Sequence, residues 1–310
     1  MRSLARCCAR NERRRHDCKE YRRAVVTYYL GIDAGGSHCR CRLVDSDRQV
    51  IGQGESGPAN ARIGVEALKA TLMFACNQAI AQAGLSEGDV ARIDAGFGIA
   101  GIGRPGIKEQ LAQLDFPFRS VRYETDAFIA NLGAHQGADG AILVIGTGSI
   151  AHVRVDGRSF SIGGYGFPIS DEGSGAALGL SAMRHALRAL DGRTKPTPLS
   201  AAVTGRFDHD TTLAVAWMDQ ATPRDYASFA PLVMDYADAG DSIARSIVED
   251  AALHVERFIE AVFERGAPRC ALAGGLSHRM RPWLRQKTVE RLVEPLGDPL
   301  DGALLLAGSP

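Results

Sequence analysis

The sequence predicts an α/β protein in which one architectural unit occurs twice. A β-branched and aromatic run ends in a glycine turn at residues 31–37, and alternating residues follow it. A second apolar run reaches a similar turn at residues 146–149, again followed by two short strand-like runs. Each half is therefore expected to contain a mixed sheet flanked by helices.

The first half is expected to open with three strands joined by short turns, which form an antiparallel meander. Apolar residues at helical spacing then predict a helix, and Pro105 suits the first position of the next helix. The predicted elements are strands 25–33, 39–44 and 49–52, helix 64–84, strand 91–97, helix 105–114, strand 120–123 and a helix from Asp126.

The second half is expected to repeat the three strands and then to become mostly helical. The Pro-rich segment 194–198 is interpreted as a loop. The predicted elements are strands 141–146, 150–155 and 159–162, helices 172–190, 209–219, 225–237 and 240–265, strand 269–273 and a last helix at 301–306.

Length and charge limit the possible functions. A chain of 310 residues favours two domains. The formal net charge is zero, which argues against a nucleic-acid partner held by bulk charge. Residues 1–24 are strongly basic and lack an apolar run, so we interpret them as a disordered extension rather than a secretory signal. A nucleic-acid arm and a misassigned start codon are the alternatives.

Hydropathy and cysteine usage predict a cytoplasmic protein. No run of about 18 apolar residues exists, so no membrane span is expected. The seven cysteines show neither a CxxC pair nor zinc-type spacing. Such a set is typical of reduced, buried thiols.

The two glycine turns are candidate phosphate sites. Bare backbone at Gly35 and Gly36, with the hydroxyl of Ser37, can form an anion nest, and Asp33 can face a hydrated Mg²⁺ ion. The turn at 146–149 offers the same groups through Gly146, Thr147 and Gly148. Each turn alone has an ordinary alternative, a tight β-turn. Together they favour two hairpins that hold a polyphosphate across a cleft.

A third glycine loop and two acidic clusters complete the candidate site. Gly274 and Gly275 follow a buried strand and either lie against an adenosine or form an ordinary strand-to-helix turn. Asp126 is either a helix N-cap or the carboxylate that accepts an acceptor hydroxyl's proton. Asp171 and Glu172 either belong to a helix start or bind the hydroxyls and amine of a sugar.

This ordered set of motifs resembles the ATP-dependent sugar kinases of the actin-like superfamily, and within it the N-acetylglucosamine kinase and BadF/BadG-type ATPase family. The resemblance extends from Tyr28 to the C terminus. It is most similar to the bacterial glucosamine kinases, and four segments carry that similarity. They are residues 56–60, 167–170, 223–226 and 301–304.

The resemblance implies a fold, two domains and a cofactor. The fold would be a two-domain actin-like (ribonuclease H-like) ATPase, with ATP and Mg²⁺ as cofactors and a homodimer as the assembly. Residues 25–120 with about 297–310 would form the N-terminal domain, and 121–296 would form the C-terminal domain with helical insertions.

The resemblance also implies roles for single residues. Asp126 would be the general base, and Asp33 the carboxylate nearest Mg²⁺. The sugar contacts would be Asn60, Gly164, Asp171 and Glu172, beside Asp126 itself. The expected reaction is phosphorylation of the 6-hydroxyl of an amino sugar, with glucosamine favoured because an acidic pair suits its cation.

Several alternatives stay open at this point. The sugar could be N-acetylglucosamine. An ATPase that activates a dehydratase would need iron–sulfur ligands, for which Cys39, Cys41 and Cys270 are the candidates. A sugar-sensing repressor would need a helix-turn-helix that residues 1–24 are too short to supply. A catalytically inactive sugar-binding protein would not need both glycine turns and both aspartates.

Overall fold

The computed structural model describes residues 27–36 and 38–309. The basic segment 1–24 and Ser37 lie outside the described residues. The disorder expected of the segment and the phosphate-binding role of Ser37 therefore stay predictions.

The strands of the described residues form two five-stranded sheets of equivalent topology. In the first sheet the order is β3-β2-β1-β4-β5, and in the second it is β10-β9-β6-β7-β8. Each sheet has a central strand with an antiparallel meander on one side and parallel strands on the other. The predicted duplication is confirmed. The strands are β1 Tyr28–Ala34, β2 Cys39–Val44, β3 Val50–Ser56, β4 Ile93–Ile99, β5 Ser120–Glu124, β6 Gly140–Ile145, β7 Ser149–Val155, β8 Arg158–Gly163, β9 Cys270–Ala273 and β10 Leu292–Val293.

The helices cover both sheets, and most of those beyond residue 175 surround the second sheet. Two short 3₁₀ turns, Ala61–Ile63 and Arg281–Trp283, accompany them. The helices are α1 Val65–Ala83, α2 Glu87–Val90, α3 Ile107–Ala112, α4 Asp126–His135, α5 Gly175–Leu190, α6 Pro198–Gly205, α7 Thr211–Met218, α8 Pro223–Ala227, α9 Ala230–Asp238, α10 Ser242–Glu264, α11 Ser277–Met280, α12 Gln286–Val289 and α13 Pro299–Ala307.

Two helix predictions were wrong, and the helices α2, α6 and α12 were missed. Helix α3 does not begin at Pro105, because Gly106 adopts a left-handed conformation with φ of 81° and ends the preceding turn. The single helix expected over 225–237 is α8 and α9, since Pro231 near the start of α9 cannot continue the preceding helix. Helix α6 starts at a capping box between Thr197 and Ser200 that the sequence analysis overlooked.

Each sheet has its own hydrophobic core. In the first half, Leu30, Ile32 and Phe97 pack with Leu68 and Leu72 of α1. In the second half, a larger core lies between the sheet and the long helices α5, α9 and α10. The two cores make the halves separate packing units, which is the arrangement expected of two domains.

The last helix returns to the first sheet. A Cβ atom on Gly31 of β1 would lie 2.9 Å from the carbonyl oxygen of Leu300, and one on Gly96 of β4 would lie 2.1 Å from that of Ala303. Helix α13 therefore lies directly on these strands, in keeping with the domain predicted for residues 25–120 and 297–310. Because β5 pairs with β4, the boundary at residue 120 should move beyond β5. The division into domains itself stays a prediction.

Helix α4 contacts both halves of the molecule. Its backbone crosses that of α13 so closely that a Cβ on Gly133 would lie 2.0 Å from the carbonyl oxygen of Asp298. A Cβ on Gly302 would lie 1.8 Å from the carbonyl oxygen of Ile129. A neighbouring side of α4 packs on the second sheet, where Ala130 and Ala134 meet Ile142 and Ala271. The first residue of α4, Asp126, is thus placed by contacts to both sheets.

We expect Gly302→Ala to lower the free energy of unfolding by about 3 kcal/mol, because the added methyl group can be accommodated only if the two helix backbones move apart. Denaturant unfolding measures this change. Gly88→Ala, at an exposed position of α2 where the nearest atom would be 3.9 Å away, is the matched control and should change stability by about 1 kcal/mol or less. Equal effects of the two substitutions would contradict the tight crossing.

Candidate active site

Asp33 and Asp126 meet at one edge of the first sheet. Strands β1, β4 and β5 are parallel, so their carboxyl ends lie at the same edge. Asp33 is near the end of β1, and Asp126 follows the end of β5 by two residues. The charge of Asp33 raises the pKa of the Asp126 carboxyl, as expected for two neighbouring acids. In α/β folds this edge of the sheet is where ligands bind.

Asp126 is not the N-cap of α4. The hydroxyl of Thr125 accepts the N–H of Phe128 at 3.0 Å and fills that role, while the Asp126 carboxylate accepts the N–H of Ala127 at 3.0 Å. Burial, and to a smaller extent Asp33, raises the pKa of Asp126 to about 6. The N-cap alternative is therefore wrong, and the carboxyl group is mostly ionised at neutral pH while remaining a better base than a free aspartate.

Arg40 is a site residue that the sequence analysis missed. It is the cross-strand partner of Asp33 in the first hairpin, and its guanidinium donates to the Asp33 carboxylate at 2.6 Å. The Asp33 side chain is 18% exposed, so this ion pair is partly shielded from water. The register of the predicted meander was the signal that could have identified the pair.

Asn60 lies beside the first glycine turn. The N–H of Ala59 donates to the carbonyl oxygen of Gly35, and the N–H of Ala61 donates to that of Ala100, both at 3.0 Å. The side-chain oxygen of Asn60 accepts the N–H of Arg62 at 3.0 Å. Among the described residues the amide nitrogen of Asn60 has no partner, so it is available as a donor to a ligand.

The second glycine turn is held from behind by α5. The first two N–H groups of α5 donate to the carbonyl oxygens of Gly146 at 2.8 Å and Thr147 at 3.1 Å. Gly146 in turn donates to the carbonyl oxygen of Gly148 at 2.9 Å. In the part of the chain that the structure describes, the N–H groups of Thr147 and Gly148 have no acceptor. A turn with fixed carbonyls and free N–H groups is suited to an anion.

The third glycine loop adjoins the second turn. Strands β6 and β9 are parallel, and the N–H of Leu276 donates to the carbonyl oxygen of Ile145 at 3.0 Å. Gly274 is left-handed, with φ of 90°, and a Cβ there would lie 2.4 Å from that same oxygen. The need for a tight strand-to-helix turn is thus sufficient to explain the glycine at 274. Gly275, by contrast, faces open space.

At three positions of these loops, nothing in the described residues explains why the residue is glycine. A Cβ on Gly36, Gly146 or Gly275 would meet nothing within 4 Å, and none of the three requires a left-handed backbone. Gly31, by contrast, lies beneath α13 and serves packing. Bare backbone that faces open space is what close approach of a ligand requires.

Asp171 and Glu172 are joined to the second turn through Ser149, which the sequence analysis did not single out. The N–H of Ser149 donates to the Asp171 carboxylate at 3.4 Å, and its hydroxyl donates to the carbonyl oxygen of Glu172 at 2.7 Å. The N-cap of α5 is Ser174, so neither acid belongs to the helix. The helix-start interpretation is therefore wrong.

The environment of Asp171 links the two halves. Burial raises the pKa of its carboxyl, against the effect of the Ser149 N–H, while the charge of Arg62 from the first half lowers it. Asp171 also has a left-handed backbone, with φ of 68°, a conformation that aspartate tolerates better than most residues. The two halves thus face each other near this carboxylate.

The local structure explains why residue 164 is glycine. Its φ is 71°, and a Cβ there would lie 2.7 Å from Cδ1 of Ile150, so a side chain is excluded on both grounds. Its role as a sugar contact stays a prediction, as do the ligand roles of the other candidate residues.

The cysteines of the described residues do not form a metal site. Cys39, Cys41 and Cys270 are buried at 0%, 2% and 0% exposure, and burial raises the pKa of Cys39 and Cys270 to about 12. No group of three side chains of the described residues is arranged to hold a metal ion. Protonated, buried thiols in different sheets cannot ligate an iron–sulfur cluster at a subunit interface.

Comparison with known proteins identifies the family. The family model described as the BadF/BadG/BcrA/BcrD ATPase family matches residues 30–307. The chain belongs to this family. Within the BadF/BadG family, the glucosamine kinase of Vibrio cholerae is 38% identical over 285 residues, which are 92% of this chain and 97% of the relative. An N-acetylmuramic acid/N-acetylglucosamine kinase of Clostridium acetobutylicum is 29% identical over 250 residues, 77% of this chain and 80% of the relative.

Solved structures support the same assignment. A protein from Chromobacterium violaceum, proposed to be an N-acetylglucosamine kinase, has a TM-score of 0.86 at 33% identity and covers 91% of this chain and 99% of its own. A ROK-family glucokinase from Streptomyces griseus has a TM-score of 0.51 at 19% identity, over 91% of this chain and 98% of its own, which bears on the fold alone. The predicted actin-like (ribonuclease H-like) ATPase fold is confirmed. No helix of the described residues of this BadF/BadG member could span a membrane.

We expect the Asp126 carboxyl to titrate near pH 6, measured by carbon NMR of labelled aspartates. Its pKa in the unfolded chain is about 3.9, so the folded state binds this proton more tightly. The free energy of unfolding should therefore fall as the pH rises from about 4 to about 6, and Asp126→Asn should remove that part of the pH dependence.

Asp33→Asn is the companion variant. It should lower the pKa of Asp126 but leave it above the unfolded value, because burial is the larger cause. A midpoint near pH 4 in the unmodified protein would contradict the site geometry.

Proposed function

We propose that this protein is an amino-sugar kinase that transfers the γ-phosphate of ATP to the 6-hydroxyl of glucosamine. The observation that carries the proposal is the half-buried Asp126 carboxylate, with its raised pKa, beside open glycine turns in a chain 38% identical to a glucosamine kinase. An alcohol acceptor needs a neighbouring base, and a nucleotide needs bare backbone for its phosphates.

ATP is assigned to the three glycine loops. Gly35 and Gly36 of the first turn would face the phosphates from one side, and the turn Gly146–Gly148 from the other. Gly274 and Gly275 lie against the adenosine. The free N–H groups of Thr147 and Gly148 support this assignment, because backbone donors are the usual cradle of a polyphosphate.

Mg²⁺ fits the site as a companion of the nucleotide. The half-buried Asp33 carboxylate lies near the first turn, and no cage of side chains is present in the described residues. Mg²⁺ commonly keeps several waters and is held by substrate phosphates with one or two carboxylates. When bound, the ion would neutralise phosphate charge, and Arg40 would share Asp33 with it.

The reaction needs few groups from the protein. The sugar's 6-oxygen forms a bond to the γ-phosphorus while the bond from that phosphorus to the bridging oxygen of ADP breaks. The hydroxyl proton passes late to Asp126, whose main task is to orient the hydroxyl. Closure of the two halves keeps water, the competing acceptor, away from the γ-phosphate.

The sugar is assigned to residues from both halves. Asn60 offers a free amide donor, and Asp171 and Glu172 offer carboxylates on the facing side, with Gly164 nearby. Glucosamine carries a positive charge near neutral pH, so two acids favour it over the neutral N-acetylglucosamine.

N-acetylglucosamine is the second candidate substrate. The kinase of Clostridium acetobutylicum and the similar structure from Chromobacterium violaceum carry that sugar in their descriptions, and both align with most of this chain. The homodimer, the cytoplasmic location and the absence of a nucleic-acid partner stay predictions. Four buried, unpaired cysteines support the location, because thiols stay reduced in that compartment.

A coupled ADP-release assay on the purified protein tests the function. Glucosamine, N-acetylglucosamine, N-acetylmannosamine, glucose and muramic sugars should be compared at equal concentration with MgATP. We expect glucosamine to give the highest kcat/KM. ADP release that no sugar stimulates would contradict the proposal, and a preference for N-acetylglucosamine would select the second candidate.

Asp126→Asn is the control within the same assay. It should lower kcat by about 100-fold or more, because the hydroxyl loses its orienting base. ADP binding, measured by calorimetry, should be unchanged, since Asp126 is not placed at the nucleotide. Near-normal turnover in this variant would remove Asp126 from the mechanism.

A further inference from the structure

The contact between α4 and the second sheet is small. Its buried apolar part consists of Ala130 and Ala134 on the helix with Ile142 and Ala271 on the sheet. Short side chains leave few interlocking surfaces, and apolar contact is non-directional. These residues hold the helix against the sheet, but they do little to fix its position along its own axis.

Asn131 supplies directional contacts at this same surface. Its side chain is fully buried, and its amide nitrogen donates to the carbonyl oxygen of Gly140 at 2.9 Å and to that of His152 at 3.0 Å. Gly140 begins β6 and His152 lies in β7, so both acceptors belong to one hairpin. The turn of that hairpin is Gly146–Gly148, the second phosphate candidate. Together with His135 of α4, whose Nε2 is bonded to the carbonyl oxygen of Ala141 in β6 at 2.9 Å, the Asn131 side chain connects the helix of Asp126 with the hairpin assigned to the phosphates.

The Asn131 amide both stabilises the contact and carries a cost. The side-chain oxygen of Asn131 is buried and has no partner among the described residues, and neither has Nδ1 of His152. A buried polar atom without a partner lowers stability relative to an apolar group of the same shape. The unpaired oxygen is thus a cost of the amide, while its nitrogen serves two carbonyl oxygens that a leucine would leave without these donors. Unlike an apolar contact, the two donated bonds fix the direction and the position of the helix relative to the hairpin.

The surrounding network is electrically neutral. Nε2 of His152 is bonded to the hydroxyl of Ser159 at 2.9 Å, and the ring meets Phe128 edge-on at a centroid distance of 5.4 Å. Burial, with a smaller effect of Arg154, lowers the pKa of His152 to about 4. The imidazole is uncharged at neutral pH. The contact between Asn131 and the hairpin therefore fixes position and does not respond to a change of charge on His152.

We propose that Asn131 is a positioning residue, which fixes α4 in register with the β6–β7 hairpin and so sets the distance from Asp126 to the γ-phosphate. The proposal rests on the proposed function. Asp126 is five residues before Asn131 on the same helix. A shift of that helix along its axis therefore moves both residues together. A displacement of about 1 Å is enough to lower catalysis by up to about 100-fold.

The test is the steady-state kinetics of Asn131→Leu, which keeps the side-chain size and removes both donors. We expect kcat to fall at least about tenfold while KM for MgATP and for glucosamine stays within about twofold, since the loss is one of alignment. In an Asp126→Asn background the same substitution should have no further effect on the residual kcat. Such non-additivity identifies a residue that acts through Asp126.

Val153→Ala is the matched control for lost stability. Val153 is fully buried in the same strand as His152 but in the core on the opposite face of the sheet. It should lower the melting temperature and leave kcat unchanged at a temperature where both proteins are folded. Asn131→Ala, which leaves room for a water to reach the two carbonyl oxygens, is the second variant should the leucine prevent folding.

Three results would overturn the proposal. They are an unchanged kcat in a folded Asn131 variant, an equal fall of kcat in the Asp126→Asn background, and failure of both Asn131 variants to fold. If the unmodified protein phosphorylates no amino sugar, the proposed function fails first and the positioning role with it.

Discussion

The crossing of α4 and α13 is the constraint on which the rest of the structure depends. At Gly133 and Gly302 the two helix backbones touch, and no side chain fits between them. Helix α13 lies on β1, which carries Asp33, and on β4, while α4 carries Asp126. The last helix thereby determines where Asp126, the proposed base, is placed. A small outward shift of either helix would separate Asp126 from the other groups of the site.

Glycine has two distinct uses in this molecule, and the distinction supports the proposed nucleotide site. Where two elements approach closely, as at Gly31 and Gly96 under α13, the missing side chain is explained by the neighbouring backbone. At Gly36, Gly146 and Gly275 no such neighbour exists in the described residues. These open positions lie in loops at the ends of strands, where ligands bind in α/β folds. The family match supports this interpretation independently, because its members are ATPases.

Much of the fold could be predicted from the sequence, because its signals are local. The duplicated meanders follow from alternation and glycine turns, and β2 has the predicted bounds, Cys39–Val44. The contacts that complete the site are not local. Ser149 bonds to residues 171–172, and Asn131 bonds to two strands, so their importance emerges only when distant segments are brought together. Arg40 lies between these two cases. Its contact with Asp33 joins two strands, but it could have been predicted from the residue register of the first hairpin.

The central claim is that Asp126 directs the 6-hydroxyl of an amino sugar at the phosphate held between the two halves. Identification of the product tests it most directly. The protein should be incubated with MgATP and uniformly ¹³C-labelled glucosamine, and the product examined by phosphorus and carbon NMR. The account predicts a single phosphomonoester whose phosphorus couples to C6. A phosphate on C1 or another carbon, or free phosphate with unchanged sugar, would contradict it.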